Sequence, residues 1–388
     1  MTHPRPARAL RIALVTGSYA YIQDGVALTL NRLVSFLEHE GAEVLVFTPT
    51  AKSGLLPHAG EVVPVASSSL PLRPEYRLAW GLPEAARRRM QAFGPDPIHI
   101  ATPDLLGHQA LAFGQRMGIP VVASYHTRYE TYLKYYGLGL FAEAVARTIA
   151  RFYRGCREVY APSPSMVEVL KNQGAGDNVI LWPRGVDTER FTPTKRSQVW
   201  RAARGIAPEV PAILFVGRLV REKRLSILVE VLRRLEADNV PHAAVVVGDG
   251  PECAALERQA PRAVFPGFLT GEDLAIAYAS CDVFLFPSET ETFGSVTLEA
   301  MASGLPTVCA DATGSRSLVD PGVTGFLVEP GDESGFHDAV SGLLRDPVLR
   351  RRFAAAALER SRRFSWEQAM SGLLSRYRAL CSPERSAA

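Results

Sequence analysis

Short apolar runs alternate with segments of helical spacing along almost the whole chain. Arg11–Thr16 is such a run and ends at Gly17, whereas the apolar residues of Ala27–Glu40 recur every three or four positions up to Gly41. The first pattern is typical of a buried parallel strand and the second of an amphipathic helix. Their repetition predicts an α/β fold with a mostly parallel, doubly wound sheet and helices on both faces. The other elements predicted before residue 190 are the strands Glu43–Thr48, Glu61–Val65, Pro97–Ala101, Pro120–Ser124, Val159–Pro162 and Val179–Leu181 and the helices Asp104–Met117 and Phe141–Gly155.

A second cycle of the same kind starts near residue 211. It follows the polar segment Thr188–Arg201, which contains a proline and which we expect to link two domains. Two doubly wound units of this kind would face each other across a cleft at the carboxyl ends of their strands. The elements predicted here are the strands Ala212–Val216, Ala243–Val247, Ala263–Phe265, Val283–Phe286, Thr307–Ala310 and Thr324–Val328 and the helices Ser226–Asp238, Leu274–Ser280, Ser295–Ala302 and Ser365–Leu380.

Composition narrows the class of protein. With 388 residues and 47% apolar content, the chain can form more than one hydrophobic core. The formal net charge is only +3, which argues against a dedicated nucleic-acid binder, because such proteins carry a concentrated basic patch. The five cysteines are odd in number and include no C-x-x-C, so they predict neither a metal site nor a disulfide framework and fit a reducing compartment.

Neither a secretory signal nor a membrane span is predicted. The first residues are rich in proline and arginine and lack an apolar core, and no run approaches the roughly 20 apolar residues of a spanning helix. We therefore expect a cytoplasmic protein. The segment 128–141 is aromatic and includes Arg128 and Lys134. This mixture suits peripheral contact with the inner face of a membrane, and it also suits an ordinary packed loop.

The segment 284–304 carries the strongest functional signal. A predicted strand passes here through a polar loop into a predicted helix that begins after Gly294. Free N–H groups at a helix N-terminus attract an anion such as phosphate. Glu291 in the loop can accept hydrogen bonds from hydroxyl groups, and Glu299, about one turn into the helix, can accept two from a ribose. The segment therefore predicts a site for a phosphate held between two polyols, which is the outline of a nucleotide-sugar.

Two cations follow the first strand of the second cycle. Gly217 and Arg218 come directly after that strand, and Lys223 follows five residues later. Arginine offers a planar fork and lysine a point charge, so the pair can hold a diphosphate. If the diphosphate is the leaving group, the two cations stabilise charge that grows in the transition state. The alternative is a solvated charged loop, which we favour only for Arg221 and Arg224.

Three other strand ends carry weaker candidates. Gly248 lies in a Gly-Asp-Gly turn that permits close backbone approach of a base and equally a tight turn. His126 ends a strand of the first cycle and can donate to a sugar hydroxyl or move a proton. Gly25 precedes the first helix, where phosphate can approach backbone N–H groups. Its neighbour Asp24 can act on an acceptor hydroxyl or cap the helix.

Several common motifs are missing. The sequence has no D-x-D pair for a diphosphate-bound metal, no P-loop and no G-x-S-x-G. We therefore expect no metal site, with fixed positive charge doing what Mg²⁺ often does in phosphate chemistry.

Together these motifs resemble glycosyltransferase family 4, whose members are retaining enzymes of the GT-B fold. The most specific match is the Glu-x7-Glu pattern from Glu291 to Glu299, and the motifs F-V-G-R…K and G-V-D also match. The resemblance implies two Rossmann-like domains that face each other across a cleft. An acceptor-side domain is expected over 1–190, a donor-binding domain over 191–364, and a last helix in 365–388 that crosses back to the first domain.

The resemblance also implies roles for individual residues. Arg218 and Lys223 would hold the donor diphosphate. Glu291 would contact the hydroxyls of the donor sugar, and His126 would lie near that sugar. These four residues are the expected catalytic group. Binding contacts are further expected from Gly25, Gly217, Gly248, Phe293, Gly294, Ser295, Val296 and Glu299.

Within the family, the motifs S-Y-H-T…Y-L-K-Y-Y-G and R-G-V-D look most like the glycolipid branch, which includes sulfoquinovosyl diacylglycerol synthases and lipid mannosyltransferases. We therefore expect retaining transfer of a hexose from a GDP- or UDP-sugar to a hydroxyl of a lipid or glycan acceptor, without a cofactor and without a nucleic-acid partner. The alternatives are a sugar-nucleotide 2-epimerase, a polysaccharide-forming transferase and a non-catalytic nucleotide-sugar sensor. A dehydrogenase is disfavoured because no G-x-G-x-x-G follows the first strand.

Overall fold

The structure, a computed structural model, describes residues 9–22, 24–51, 54–70, 73–128 and 139–381. Most of the aromatic segment predicted over 128–141 therefore lies outside the described residues. The chain divides into two compact units. The first comprises the described parts of 1–127, 143–182 and 367–388, and the second comprises those of 128–142 and 183–366.

The first unit is built on a seven-stranded parallel sheet. Its strands are β1 (Arg11–Val15), β2 (Glu43–Pro49), β3 (Glu61–Val65), β4 (Ser67–Leu70), β5 (Arg73–Ala79), β6 (Ile98–Ile100), β7 (Val121–Ser124), β8 (Glu158–Ala161) and β9 (Val179–Leu181). The order across the sheet is β3-β2-β1-β6-β7-β8-β9, while β4 and β5 form a separate antiparallel hairpin. Its helices are α1 (Gly25–His39), α2 (Glu84–Phe93), α3 (Leu105–Met117), α4 (Ala142–Arg154) and α5 (Pro164–Asn172).

The second unit is built on a six-stranded parallel sheet. Its strands are β10 (Ala212–Val216), β11 (Ala243–Val247), β12 (Val264–Gly267), β13 (Val283–Phe286), β14 (Thr307–Ala310) and β15 (Gly325–Val328). The order is β12-β11-β10-β13-β14-β15, so it reverses between β10 and β13. Ligands of doubly wound sheets bind beyond the carboxyl ends of the strands at such a reversal. Its helices are α6 (Gln198–Ala202), α7 (Leu225–Ala237), α8 (Cys253–Gln259), α9 (Gly271–Ala279), α10 (Ser295–Ala302), α11 (Thr313–Leu318), α12 (Glu333–Arg345) and α13 (Pro347–Ser361).

The last helix, α14 (Trp366–Leu380), belongs to the first unit from Glu367 onward. The indole nitrogen of Trp182 donates to the carbonyl of Ala369 at 3.2 Å. The guanidinium of Arg376 contacts both carboxylate oxygens of Glu158, at 2.5 and 3.0 Å. A buried hydrogen bond and an ion pair therefore fix this helix against the sheet that the start of the chain forms.

The predicted α/β class and the doubly wound sheets are confirmed. The segment Thr188–Arg201, expected to be a linker, is instead built into the second unit. Its Arg201 is fully buried and donates to the carbonyls of Ser280 at 2.7 Å and Ala207 at 2.9 Å. The hairpin of β4 and β5 and the helices α2, α5, α6, α8, α11, α12 and α13 were not predicted.

Candidate functional site

The second unit gathers most of the predicted residues at the carboxyl edge of its sheet, where the strand order reverses. Gly217 and Arg218 directly follow β10, and the loop with Glu291 and Gly294 follows the adjacent strand β13. Lys223 ends a single 3-10 turn that leads into α7. Because β10 and β13 are hydrogen-bonded neighbours, the cations of one loop meet the carboxylates of the other.

The ammonium group of Lys223 forms an ion pair with the carboxylate of Glu291. Both side chains are mostly buried, at 11% and 22% exposure, so solvent screens this pair less than a surface pair. The ammonium nitrogen also lies 5.5 Å from the ring centroid of Phe286. The pair joins the two loops on which the predicted diphosphate and sugar contacts depend.

Arg218, the other predicted cation, lies near the fully buried carboxylate of Glu222. Glu222 has no solvent exposure, and within the described chain neither of its oxygens has a hydrogen-bond partner. The guanidinium of Arg218 lies 3.8 Å away and is the cation paired with it. Because an isolated buried charge is costly, Glu222 favours a position of Arg218 close to the turn.

The conformation of the polar loop after β13 depends on two glycines. Gly294 takes a φ of +95° and directly precedes α10, a helix start that a residue with a Cβ would strain. On the other side, a Cβ at Gly314 would lie 2.8 Å from that of Glu291 and 2.9 Å from the carbonyl carbon of Phe293. The hydroxyl of Thr313 donates to the carbonyl of Glu291 at 2.8 Å. The start of α11 therefore fixes the backbone that presents Glu291.

The residues at the start of α10 differ in exposure. Phe293 is buried and packs edge-on against Phe364, with ring centroids 6.0 Å apart. Ser295 is exposed and Val296 is half-buried. The first turn of α10 thus presents backbone N–H groups beside an anchored aromatic residue, as an anion site requires.

Glu299 receives a hydrogen bond from a buried tyrosine. The hydroxyl of Tyr278 lies 3.0 Å from its carboxylate and 3.2 Å from the carbonyl of Val296. Burial raises the pKa of Glu299 from 4.5 to about 7, against the opposing effects of the Tyr278 hydrogen bond and the positive charge of Arg190. The carboxyl group therefore titrates near neutral pH, and its charged form gains most from new hydrogen-bond donors such as ribose hydroxyls.

We expect Glu299→Gln to change how folding stability depends on pH. The pKa of Glu299 is higher in the folded chain than its ordinary value, so the folded state binds the extra proton between the two values. The contribution of Glu299 to the stability of the natural chain should therefore fall by about 2 kcal/mol as the pH rises from about 5 to about 8. Glutamine removes this contribution. Urea unfolding of both chains should give free energies whose difference grows by about 2 kcal/mol over that range; a constant difference would contradict the assignment.

Glycines also bring the ends of β10 and β11 together. Gly248 has a φ of +143°, and a Cβ there would lie 1.9 Å from the carbonyl oxygen of Gly217. Gly250 has a φ of +156°, and its Cβ would lie 2.4 Å from the carbonyl oxygen of Leu219. Close approach of one backbone to another thus accounts for the glycines. A Cβ at Gly217 itself would make only ordinary contacts.

The first unit holds the two remaining predicted residues. His126 follows β7, and its Nε2 lies 2.7 Å from the hydroxyl oxygen of Ser124. Gly25 is exposed at the start of α1, with open space around it. The carboxylate of Asp24 accepts hydrogen bonds from the N–H groups of Val26 and Ala27. Of the two roles considered for Asp24, the structure therefore supports helix capping.

Sequence reasoning missed several partners at this site. Arg224, expected to be a solvated surface residue, forms an ion pair with Glu289 at 2.5 Å. Its φ of +55° also places it in a conformation rare outside glycine. Tyr278 and Glu222 were not predicted either. The cations in the loop 221–224 and the carboxylates in the loop 289–291 are the one signal in the sequence from which the pairing of Arg224 with Glu289 could have been inferred.

Three general features of the described chain complete the account of the site and its surroundings. Across the described ranges, the acidic, histidine and cysteine side chains form no group of three or more that could hold a metal ion. In the same part of the chain, no helix is both long and apolar enough to cross a membrane. All five cysteines are free thiols.

Comparison with known protein families gives two matches that together cover most of the chain. Residues 23–190 match the description "Glycosyltransferase Family 4". Residues 197–360 match "Glycosyl transferases group 1". The second match contains every donor-side residue predicted in the second unit.

Individual relatives agree with these matches. The chain is 36% identical to the GDP-mannose-dependent alpha-mannosyltransferase of Mycobacterium tuberculosis, over 96% of this chain and 97% of that protein. It is 34% identical to sulfoquinovosyl transferase SQD2 of Arabidopsis thaliana, over 92% of this chain and 71% of that protein. Sucrose-phosphate synthase of Thermosynechococcus elongatus has a similar fold, with a TM-score of 0.78, 22% identity and coverage of 96% of this chain and 99% of that one.

Proposed function

The chain belongs to glycosyltransferase family 4, and on that premise we propose that it transfers mannose from GDP-mannose to a hydroxyl group of a lipid-type acceptor with retention of anomeric configuration. The observation that carries the proposal is the ion pair of Lys223 and Glu291 at the carboxyl edge of the second sheet. The pair sets a cation next to a carboxylate just before α10, which supports a role of the first with the diphosphate and of the second with the sugar.

The proposed reaction breaks the bond between the anomeric carbon and the diphosphate oxygen. The acceptor hydroxyl forms the new bond on the same face of the sugar and gives its proton to an oxygen of the leaving diphosphate. Arg218, Lys223 and the N–H groups of α10 stabilise the charge that builds on that diphosphate. When the diphosphate takes the ammonium group of Lys223, the carboxylate of Glu291 becomes available to the sugar hydroxyls. No covalent intermediate is needed, because the acceptor hydroxyl attacks the anomeric carbon directly, and no metal ion is needed, because the two cations supply the positive charge.

The choice of donor and acceptor rests on the relatives. The mannosyltransferase named above matches over nearly its full length, which supports GDP-mannose. Similarity to a sulfoquinovosyl transferase, together with the motifs of the glycolipid branch, supports a lipid-type acceptor. In the first unit, α4 turns Ile149, Phe152 and Tyr153 inward and leaves arginines 147, 151 and 154 exposed. This basic face suits peripheral contact with an anionic membrane.

A panel of donors tests the proposal. Purified protein is incubated with GDP-mannose, UDP-glucose or UDP-sulfoquinovose and with diacylglycerol-type and phosphoinositide acceptors in mixed micelles. We expect GDP release with GDP-mannose and an acceptor, an α-anomeric product by NMR, and the same rate in EDTA. Thermal shift with GDP, UDP and ADP reports the base independently, because a ligand that binds the native state raises the melting temperature. Binding to phosphatidylglycerol vesicles but not to phosphatidylcholine vesicles would support the membrane contact.

Each alternative predicts another outcome. Conversion of the donor without an acceptor would indicate the 2-epimerase, and nucleotide-sugar binding without any product would indicate a sensor. Activity only with soluble glycans would indicate a polysaccharide-forming transferase. A requirement for UDP-linked donors would overturn GDP-mannose while leaving the reaction class in place. A β-anomeric product would overturn retention.

A further inference from the structure

Behind His126, a row of hydrogen bonds runs into the core of the first unit. Its Nε2 lies 2.7 Å from the hydroxyl oxygen of Ser124, which lies 2.8 Å from Nε2 of His99. Nδ1 of His99 lies 2.5 Å from the hydroxyl oxygen of Tyr377 on α14. Ser124, His99 and Tyr377 are fully buried. Water therefore does not compete for these positions, and each link must be made by the neighbouring side chain.

The buried end of the row determines which group donates in each of its hydrogen bonds. Burial raises the pKa of Tyr377 well above 10, so this phenol keeps its proton. Among the described residues, Nδ1 of His99 is its one hydrogen-bond partner. A buried hydroxyl proton without an acceptor costs stability, so the Tyr377 hydroxyl donates to Nδ1 of His99.

The remaining protons follow from that start. Because Nδ1 of His99 accepts, this imidazole is neutral and carries its proton on Nε2, which donates to the hydroxyl oxygen of Ser124. Ser124 has a single hydroxyl proton, and the acceptor left for it is Nε2 of His126. A neutral imidazole that accepts at Nε2 carries its proton at Nδ1. The row thus determines the tautomer of His126.

We propose that Tyr377, His99 and Ser124 are positioning residues that hold His126 as the neutral Nδ1–H tautomer, so that this ring offers a hydrogen-bond donor at Nδ1. The role in catalysis rests on the proposed function, because it requires that His126 meets the sugar or the acceptor. His126 then donates a hydrogen bond to a substrate oxygen and is not a general base. Of the two roles that the sequence left open for His126, the row selects the donor.

The surroundings hold the row in place. The ring of Trp182 lies edge-on to both histidines, with centroids 6.2 Å from His99 and 6.3 Å from His126. One residue before Tyr377, Arg376 pairs with Glu158, to which the hydroxyl of Tyr160 also donates at 3.0 Å. The register of α14 is therefore fixed next to the residue that starts the row.

Nitrogen NMR of the full chain with ¹⁵N-labelled histidine tests the proposal without a substrate. We expect His126 to show a protonated Nδ1 and an unprotonated Nε2, and His99 the reverse. Resonances are assigned by loss in His126→Gln and His99→Gln. In Tyr377→Phe, which removes the proton that sets the direction, both rings should shift toward a mixture of tautomers. Tyr19→Phe is the matched control, because it removes a buried hydroxyl of the same unit that lies outside the row and donates to the carbonyl of Ala59 at 2.8 Å.

Either of two results would overturn the proposal: a protonated Nε2 on His126 in the natural chain, or unchanged resonances in Tyr377→Phe. If Tyr377→Phe does not fold, Ser124→Ala breaks the row at its middle. The tautomer of His126 should then become mixed, while the hydrogen bond between Tyr377 and His99 stays. In the transferase assay we expect kcat/KM to fall about three- to tenfold in Tyr377→Phe, the range of one hydrogen bond, and not in Tyr19→Phe. Because the spectra need no substrate, a wrong donor or acceptor would leave this test intact.

Discussion

Replacing Lys223 with alanine should reduce kcat/KM for the nucleotide-sugar by about a thousandfold, the loss typical of one preorganised group that stabilises a developing charge. The ammonium group is mostly buried, so its attraction for a diphosphate is weakly screened. Its loss also leaves Glu291 without its cation beside the incoming diphosphate, where two negative charges repel. Initial rates of nucleotide release, measured at several donor concentrations, would give the effect.

Arg221→Ala is the matched control for this variant. Arg221 belongs to the same short turn, but its side chain is 79% exposed and contacts Glu252 at 3.3 Å. Surface ion pairs contribute little, so its removal should change kcat/KM by less than about threefold. A loss below about tenfold in Lys223→Ala, or equal losses in the two variants, would show that the diphosphate is held elsewhere.

Glu291→Gln separates the two halves of the ion pair. If Glu291 contacts sugar hydroxyls, the glutamine variant should keep affinity for the nucleoside diphosphate and lose rate with the nucleotide-sugar. If Glu291 only holds Lys223, both quantities should change little, since the diphosphate replaces it as partner. The comparison with Lys223→Ala therefore shows which part of the substrate, the diphosphate or the sugar, each residue of the pair contacts.

Elements with strong local signals were predicted to the residue. Ala212–Val216, Val283–Phe286 and Ser295–Ala302 have the predicted bounds, because each apolar run is closed by glycine or proline and the helix starts directly after Gly294. Elements whose stability comes from distant contacts were missed. Ser67–Leu70 is a polar, mostly exposed strand that pairs only within its hairpin, so nothing in its composition marks it as a strand.

Buried charge was the least predictable feature. The short helix with Arg201 was taken for a linker because its sequence is polar. In the structure, the terminal nitrogens of the guanidinium donate to backbone carbonyls such as that of Ser280, 79 residues further along the chain, and the group also pairs with Asp282 at 3.2 Å. Backbone carbonyls occur at every position, so their role as partners leaves no mark in the sequence. Tyr377 and His99 meet through their side chains, but 278 residues separate them, so no local pattern in the sequence marks their contact.

At the candidate site, the sequence identified candidate residue types but not the contacts between them. Lys223 and Glu291 were both singled out for their residue types, yet their ion pair requires β10 and β13 to be neighbours in the sheet. The pairing of Arg224 with Glu289 depends on the same order of strands. Strand order is a property of the folded sheet. The side chains of these two loops could therefore be predicted one by one as site residues, but the contacts between them could not.

Gly248→Ala should be the most destabilising of the substitutions considered for the second unit. A methyl group there would lie 1.9 Å from the carbonyl oxygen of Gly217, and the φ of +143° is unfavourable for alanine. The neighbouring hydrogen bond from the N–H of Gly217 to Val247, at 3.0 Å, ties the two loops together and prevents an easy shift. Strain and overpacking together should lower the free energy of unfolding by about 3 kcal/mol. For a unit of this size, the melting temperature should fall by roughly 6 to 12 °C.

Comparison of Gly248→Ala with Gly331→Ala isolates the steric part of this effect. Gly331 also has a positive φ, +90°, but nothing lies within 4 Å of a Cβ placed on it, so only backbone strain of about 1 kcal/mol is expected. Equal destabilisation of the two variants would mean that the contact with Gly217 yields without cost.

Displacement of the Gly217 carbonyl in Gly248→Ala also moves Arg218, the next residue. Below its melting temperature, Gly248→Ala should therefore bind the nucleoside diphosphate at least about tenfold more weakly, as loss of a charge-assisted contact predicts, while Gly331→Ala binds normally. Unchanged affinity in Gly248→Ala would place the loop of Arg218 outside the donor site.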